Sequence, residues 1–168
     1  MKKLIILSAA FLIAMGSFCP KGNAQDLKKG MTSGKFTYSG TYAYIAIGEE
    51  RAHMTYEMTG VLIPEPGKSI FKNASVRCIG AYHAIRGHYD NDKGTCVYND
   101  SDGDRFFITY IGTGDMGKGG KGNYEYLGGT GKYAGLSGKG EYELEELKPA
   151  KEGTFQGIST YTANWELP

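Results

Sequence analysis

From residue 34 to the end of the chain, apolar and aromatic side chains return at every second position, and almost nowhere with the spacing of a helix. A period of two puts alternate side chains on opposite faces of an extended chain, so it marks half-buried antiparallel strands. In residues 34–47, Phe36, Tyr38, Tyr42, Tyr44 and Ala46 share one face, and Thr37, Ser39 and Thr41 the other. In 52–63, Met54, Tyr56, Met58 and Leu62 alternate with His53, Thr55, Glu57 and Thr59. Segment 70–83 sets Val76, Cys78, Gly80 and Tyr82 on one face. Segments 86–89 and 95–99 flank a turn cluster at residues 90–94, and 105–111 precedes a glycine-rich loop at 112–122. Segments 123–127, 136–147 and 154–166 complete the set, the last with Phe155, Gly157, Tyr161, Ala163 and Trp165 on one face.

About eight strands joined by short turns, with an aromatic last strand free to pair with the first, predict an all-β fold: a small closed antiparallel barrel. An open sandwich is the alternative. Glycines inside the strands, at Gly40, Gly60, Gly80, Gly140 and Gly157, suit a barrel that coils sharply.

The first 24 residues read as a signal peptide: Lys2 and Lys3 form a positive start, an apolar run follows, and Gly22-Asn23-Ala24 offers a cleavage site. Residues 25–168 then form one exported domain, secreted or periplasmic. The apolar run is too short to span a bilayer, and no later segment approaches that length. Lipid attachment at Cys19 would require a better match around that residue than Gly16 and Phe18 provide. Of 19 Lys and Arg residues, Lys2, Lys3 and Lys21 leave with the leader while all 18 acidic residues stay. The mature chain is thus slightly acidic and a poor partner for nucleic acid. Cys78 and Cys96 remain, and in an oxidising compartment they are expected to form a disulfide.

One stretch departs from simple alternation: Gly128-Gly129-Thr130-Gly131-Lys132-Tyr133-Ala134-Gly135, followed by Gly138. It reads as a strand end, a turn and a new strand, with Gly128, Gly129, Gly131 and Gly135 as structural turn positions and Lys132 as a surface residue between them. This element resembles the Gly-Gly-Thr-Gly-aromatic motif of allene oxide cyclase-like and dirigent-like β-barrels. The resemblance implies a barrel that orients a reactive ligand and supplies little acid-base chemistry. It carries over no catalytic residues, because the matching stretch is a turn.

Other motifs fail on their surroundings. Gly112-Thr113-Gly114-Asp115-Met116-Gly117 has the spacing of a dinucleotide fingerprint, but Lys118-Gly119-Gly120-Lys121-Gly122 cannot start the helix that mechanism needs. Gly129-Thr130-Gly131-Lys132 resembles the end of a phosphate loop, yet Tyr133 replaces the Ser or Thr that would hold magnesium. No cofactor is implied. Asp100, Asp102 and Asp104 open like a calcium loop but lack its later glycine and glutamate, so they read as a solvated hairpin turn, with a weak cation site as the alternative. His53 and His83 fall on outward parity; His83, His88, Asp90 and Asp92 are the nearest approach to a metal set, and no metal is expected. Paired-carboxylate hydrolysis stays open, but Glu141, Glu143 and Glu145 share one face and read as wet surface.

What remains is aromatic. The chain holds 13 Tyr, 7 Phe and 1 Trp, and the tyrosines recur on the inner parity. The tentative interior is Tyr38, Tyr42, Tyr56, Tyr82, Tyr110, Tyr161 and Trp165, and an eight-stranded barrel has room there for side chains or for one small ligand. Two functions survive: a non-enzymatic barrel that binds a small hydrophobic or aromatic molecule or acts structurally in the envelope, and a cyclase-like or dirigent-like enzyme. A polar cluster inside the barrel would favour the enzyme, and a plugged interior the structural role.

Overall fold

The computed structural model describes residues 28–67 and 69–168; residues 1–24, read above as a signal peptide, and Cys19 among them lie outside the described residues. Eight strands form one closed barrel: β1 (Lys29–Gly48), β2 (Arg51–Pro64), β3 (Ala74–Ile85), β4 (His88–Asp100), β5 (Arg105–Asp115), β6 (Gly119–Gly129), β7 (Ser137–Leu147) and β8 (Thr154–Glu166). Each strand pairs antiparallel with the next, and β8 returns to β1. Closure leaves no edge strand, the usual weak point of a sheet. The open sandwich is thereby excluded.

The inner face explains the strand glycines. Tyr38 stands across from Gly60 and Gly157, Tyr56 from Gly80, Tyr110 from Gly94, Tyr124 from Gly140, Tyr142 from Gly122, Tyr161 from Gly34 and Phe155 from Gly40. Each ring lies over a neighbouring strand where a side chain is missing, which recovers the contact that the glycine gives up. Cys78 and Cys96 also face each other across β3 and β4, both buried, and are joined by a disulfide.

Two stretches expected to be irregular are strand. The cluster at 90–94 has turn composition but lies within β4, where a register shift between Tyr89 and Asp92 marks a bulge. The preceding connection is much tighter, with Arg86 at φ 53° and Gly87 at φ 79° between the paired Ile85 and His88. Two successive positive φ values make the turn that best matches strand twist. Residues 112–122 are likewise the paired ends of β5 and β6, with Gly112 opposite Gly122 and only Met116–Lys118 between the strands. Conversely, β3 starts at Ala74, and the segment before it sends Phe71 into the barrel.

The two ends differ. At one end Phe71, Phe106, Tyr133, Leu136 and Trp165 are all buried and in one cluster, and they plug the barrel. At the other the hairpin of β1 and β2 runs past the barrel wall, leaving Tyr42 and Tyr44 45% and 64% exposed. Alternation persists there, but no opposing wall is left to bury it. No described helix is long and apolar enough to cross a membrane.

Candidate functional site

Above the plug the barrel encloses a cavity of about 340 Å³, open at the end with the long hairpin. That volume suits one small organic molecule. Tyr38, Tyr42, Tyr56, Tyr82, Tyr110 and Tyr161 all line it, with Tyr42 at the rim. Trp165 does not. It is 2% exposed and lies below the cavity floor, its ring 6.1 Å from that of Phe71, because the end of β8 belongs to the plugged end.

The chemistry centres on a residue that the aromatic pattern does not single out. Asp92 is 7% exposed and lines the cavity. Tyr56 donates its hydroxyl to Asp92 Oδ1 at 2.7 Å, and the Tyr56 and Tyr110 hydroxyls lie 2.5 Å apart. A hydroxyl has one proton to give, so with Asp92 ionised the direction is fixed: Tyr110 donates to Tyr56, and Tyr56 to the carboxylate. Burial raises the Asp92 carboxyl from the usual 3.8 to about 6, with the Tyr56 hydrogen bond opposing part of that rise. Burial also pushes Tyr56 and Tyr110 well above the ordinary tyrosine value, and Tyr82 to about 12, so these rings stay neutral.

The local backbone builds this cluster. A Cβ at Gly94 would lie 2.1 Å from the Tyr110 hydroxyl oxygen, and one at Gly80 2.4 Å from that of Tyr56. Only glycine lets the two rings lie so close to their neighbouring strands. The bulge in β4 keeps both Tyr89 and Asp92 buried although they are three positions apart, where regular alternation would turn one of them out. Tyr82 and Tyr89 then pair with ring centroids 4.6 Å apart. Near the mouth, Glu146 lines the cavity and accepts a 3.0 Å hydrogen bond from the backbone N–H of Gly117.

Sequence parity could have found Asp92: stepping back by twos from Tyr98 and Cys96 reaches Gly94 and then Asp92. The turn-forming composition of that segment hides it.

The glycine element lies at the other end. Gly128, Gly131 and Gly135 have φ of 94°, 54° and 75°, and a Cβ at Gly129 would come within 2.3 Å of the Arg105 carbonyl oxygen. Residues Gly131–Tyr133 form a single turn of 3-10 helix. Lys132 is no free surface residue: its ammonium pairs with buried Asp100, and with Asp102 at 2.7 Å. Tyr133 donates to Asp100 Oδ2 at 3.0 Å, while the Asp102 and Asp104 N–H groups donate to Oδ1 at 2.8 and 3.1 Å. Burial pushes the Asp100 carboxyl up, but these donors outweigh it and hold the carboxyl below its ordinary value. Ser101, Asp102 and Gly103 are the exposed turn that the sequence suggested, whereas Asp100 is buried and ties that hairpin to the plug through protein donors.

No family model and no curated protein matches this chain in sequence. In structure it is similar to a pterocarpan synthase dirigent protein, with a TM-score of 0.51 and 13% identity over 84% of this chain and 93% of that one. The fold is a dirigent-like barrel. A second pterocarpan synthase dirigent protein aligns at a TM-score of 0.42 and 14% identity, over 85% of this chain and 97% of that one. Within this dirigent-like barrel, Asp92 is the buried carboxyl of the cavity wall, and Glu146 is a second carboxylate nearer the mouth.

Proposed function

We propose that this dirigent-like barrel binds one small hydrophobic or aromatic molecule, admitted at the open end and oriented against Asp92. The observation that carries the reading is an open cavity walled by aromatic rings, with a buried carboxyl and two linked hydroxyls on its wall. Aromatic walls supply affinity with little geometry, and the few polar atoms fix which way the guest lies. Native mass spectrometry of the protein purified from its own host tests this, with one co-purifying compound per chain expected. A barrel that emerges empty and takes up no phenol from a panel would overturn it.

Asp92 favours a second reading, the cyclase-like or dirigent-like enzyme. A carboxyl that titrates near neutrality can take a proton from a bound molecule or give one to it, and orientation alone contributes strongly to rate. On this reading Asp92→Asn retains the guest and loses turnover; an Asn variant with full turnover would remove it. Export belongs to the proposal too, supported by the leader pattern and by a disulfide suited to an oxidising compartment. The mature protein is expected to begin at Gln25 on N-terminal sequencing.

A further inference from the structure

The charges on the cavity wall are all of one sign. Asp92 and Glu146 line it, and no Lys, Arg or His does among the described residues. A guest carboxylate, sulfate or phosphate would enter low-dielectric space with no cation or paired donors to meet it, at a heavy desolvation cost. Asp92 engages Tyr56 through Oδ1 only, and Oδ2 has no hydrogen-bond partner among the described residues. The cavity that Asp92 lines is walled by electron-rich rings whose faces attract positive charge, among them Tyr82 and Tyr89, 4.6 Å apart, and Tyr56 and Phe155, at 5.8 Å. Aromatic rings beside an acid form the arrangement that recognises organic ammonium groups.

Resting on the small-molecule reading above, we infer that the guest is an organic cation: an aromatic amine whose ring fills the tyrosine-walled cavity and whose ammonium donates to Asp92 Oδ2, with Glu146 at the mouth drawing positive charge inward. A neutral ring would gain the same apolar burial, so the charge is what the two acids select.

The groups facing Asp92 define the pH behaviour. Tyr56 on β2, Tyr82 on β3, Tyr89 on β4, Tyr110 on β5 and Tyr142 on β7 are all raised above the ordinary tyrosine value and stay neutral. Glu146 on β7 is the other carboxylate lining the cavity. Selection for a cation is therefore present when Asp92 is ionised and fades as pH falls through about 6.

Three probes of one skeleton test this by calorimetry on the purified, disulfide-bonded protein: tyramine, para-ethylphenol and para-hydroxyphenylpropionate. At about pH 7.5, tyramine is expected to bind about tenfold more tightly than para-ethylphenol, a difference of about 1.4 kcal/mol, and the propionate more weakly than either. At about pH 5 the tyramine preference should shrink by the share that Asp92 supplies, although the amine of tyramine remains protonated. Asp92→Asn should bring the ratio toward one at the higher pH; the wild-type pH series gives the same answer without a variant that has to fold. Equal or tighter binding of para-ethylphenol by the wild type at about pH 7.5 would overturn the cation inference and leave the small-molecule reading intact. Failure of all three to bind removes both, because the neutral phenol alone tests the cavity.

Discussion

Asp92 burdens the fold that holds it. Its carboxyl is raised from 3.8 to about 6 when buried, so between those values the folded chain binds a proton that the unfolded chain has released. Stability contributed at this site is accordingly greatest in acid, falls as pH rises through that window and is flat above it. Asp92→Asn should raise the unfolding free energy by up to about 3 kcal/mol above pH 6, the free-energy equivalent of that shift, and leave it nearly unchanged at about pH 4. Denaturant midpoints at the two pH values check this; a variant less stable than wild type at neutral pH would contradict it. Gly94→Ala acts in the opposite direction, because its methyl would sit 2.1 Å from the Tyr110 hydroxyl oxygen and 2.5 Å from the Ile79 carbonyl oxygen. A loss of about 1–3 kcal/mol is expected, as for an overpacked core, together with weaker guest binding once Tyr110 is displaced.

The short 3-10 turn and the β4–β5 hairpin are held as one unit through Asp100. Removing the Lys132 ammonium leaves a buried carboxylate with three remaining donors, so Lys132→Ala should cost about 2 kcal/mol, and Tyr133→Phe about 1 kcal/mol. Urea unfolding of both variants checks this; a silent Lys132→Ala would return the residue to the surface role that its place in a glycine-rich turn suggests. The contrast shows what a sequence makes legible. Period-two alternation fixes strands from Phe36 and Met54 to Trp165, because burial on one face of a sheet is a property of local spacing. Lys132 is different: its partners lie about thirty positions away, and spacing along the chain cannot reveal them. β4 was hidden for another reason, since Asp, Asn and Gly favour turns in isolation and yield to strand only when both neighbours hold them in register.

Across the molecule, the disulfide joins neighbouring strands midway along the barrel wall, closing a loop with a sequence separation of 18. Reduction should destabilise the barrel by about 3 kcal/mol, measured as the shift in guanidinium unfolding with and without reductant. Among the described residues no group of three His, Cys, Asp or Glu side chains could hold a metal ion, and a chelator is expected to leave the melting temperature unchanged. Closure and plugging also decide how traffic through the interior must run. With Phe71, Phe106, Tyr133, Leu136 and Trp165 sealing one end, the cavity formed by the described residues is a cul-de-sac that opens at the other. On the proposed function, arrival and departure retrace the same path, so two occupants cannot queue or pass. If a guest is transformed inside, what it becomes must leave before the next can enter, and the two compete for one vacancy: product inhibition would be competitive by construction.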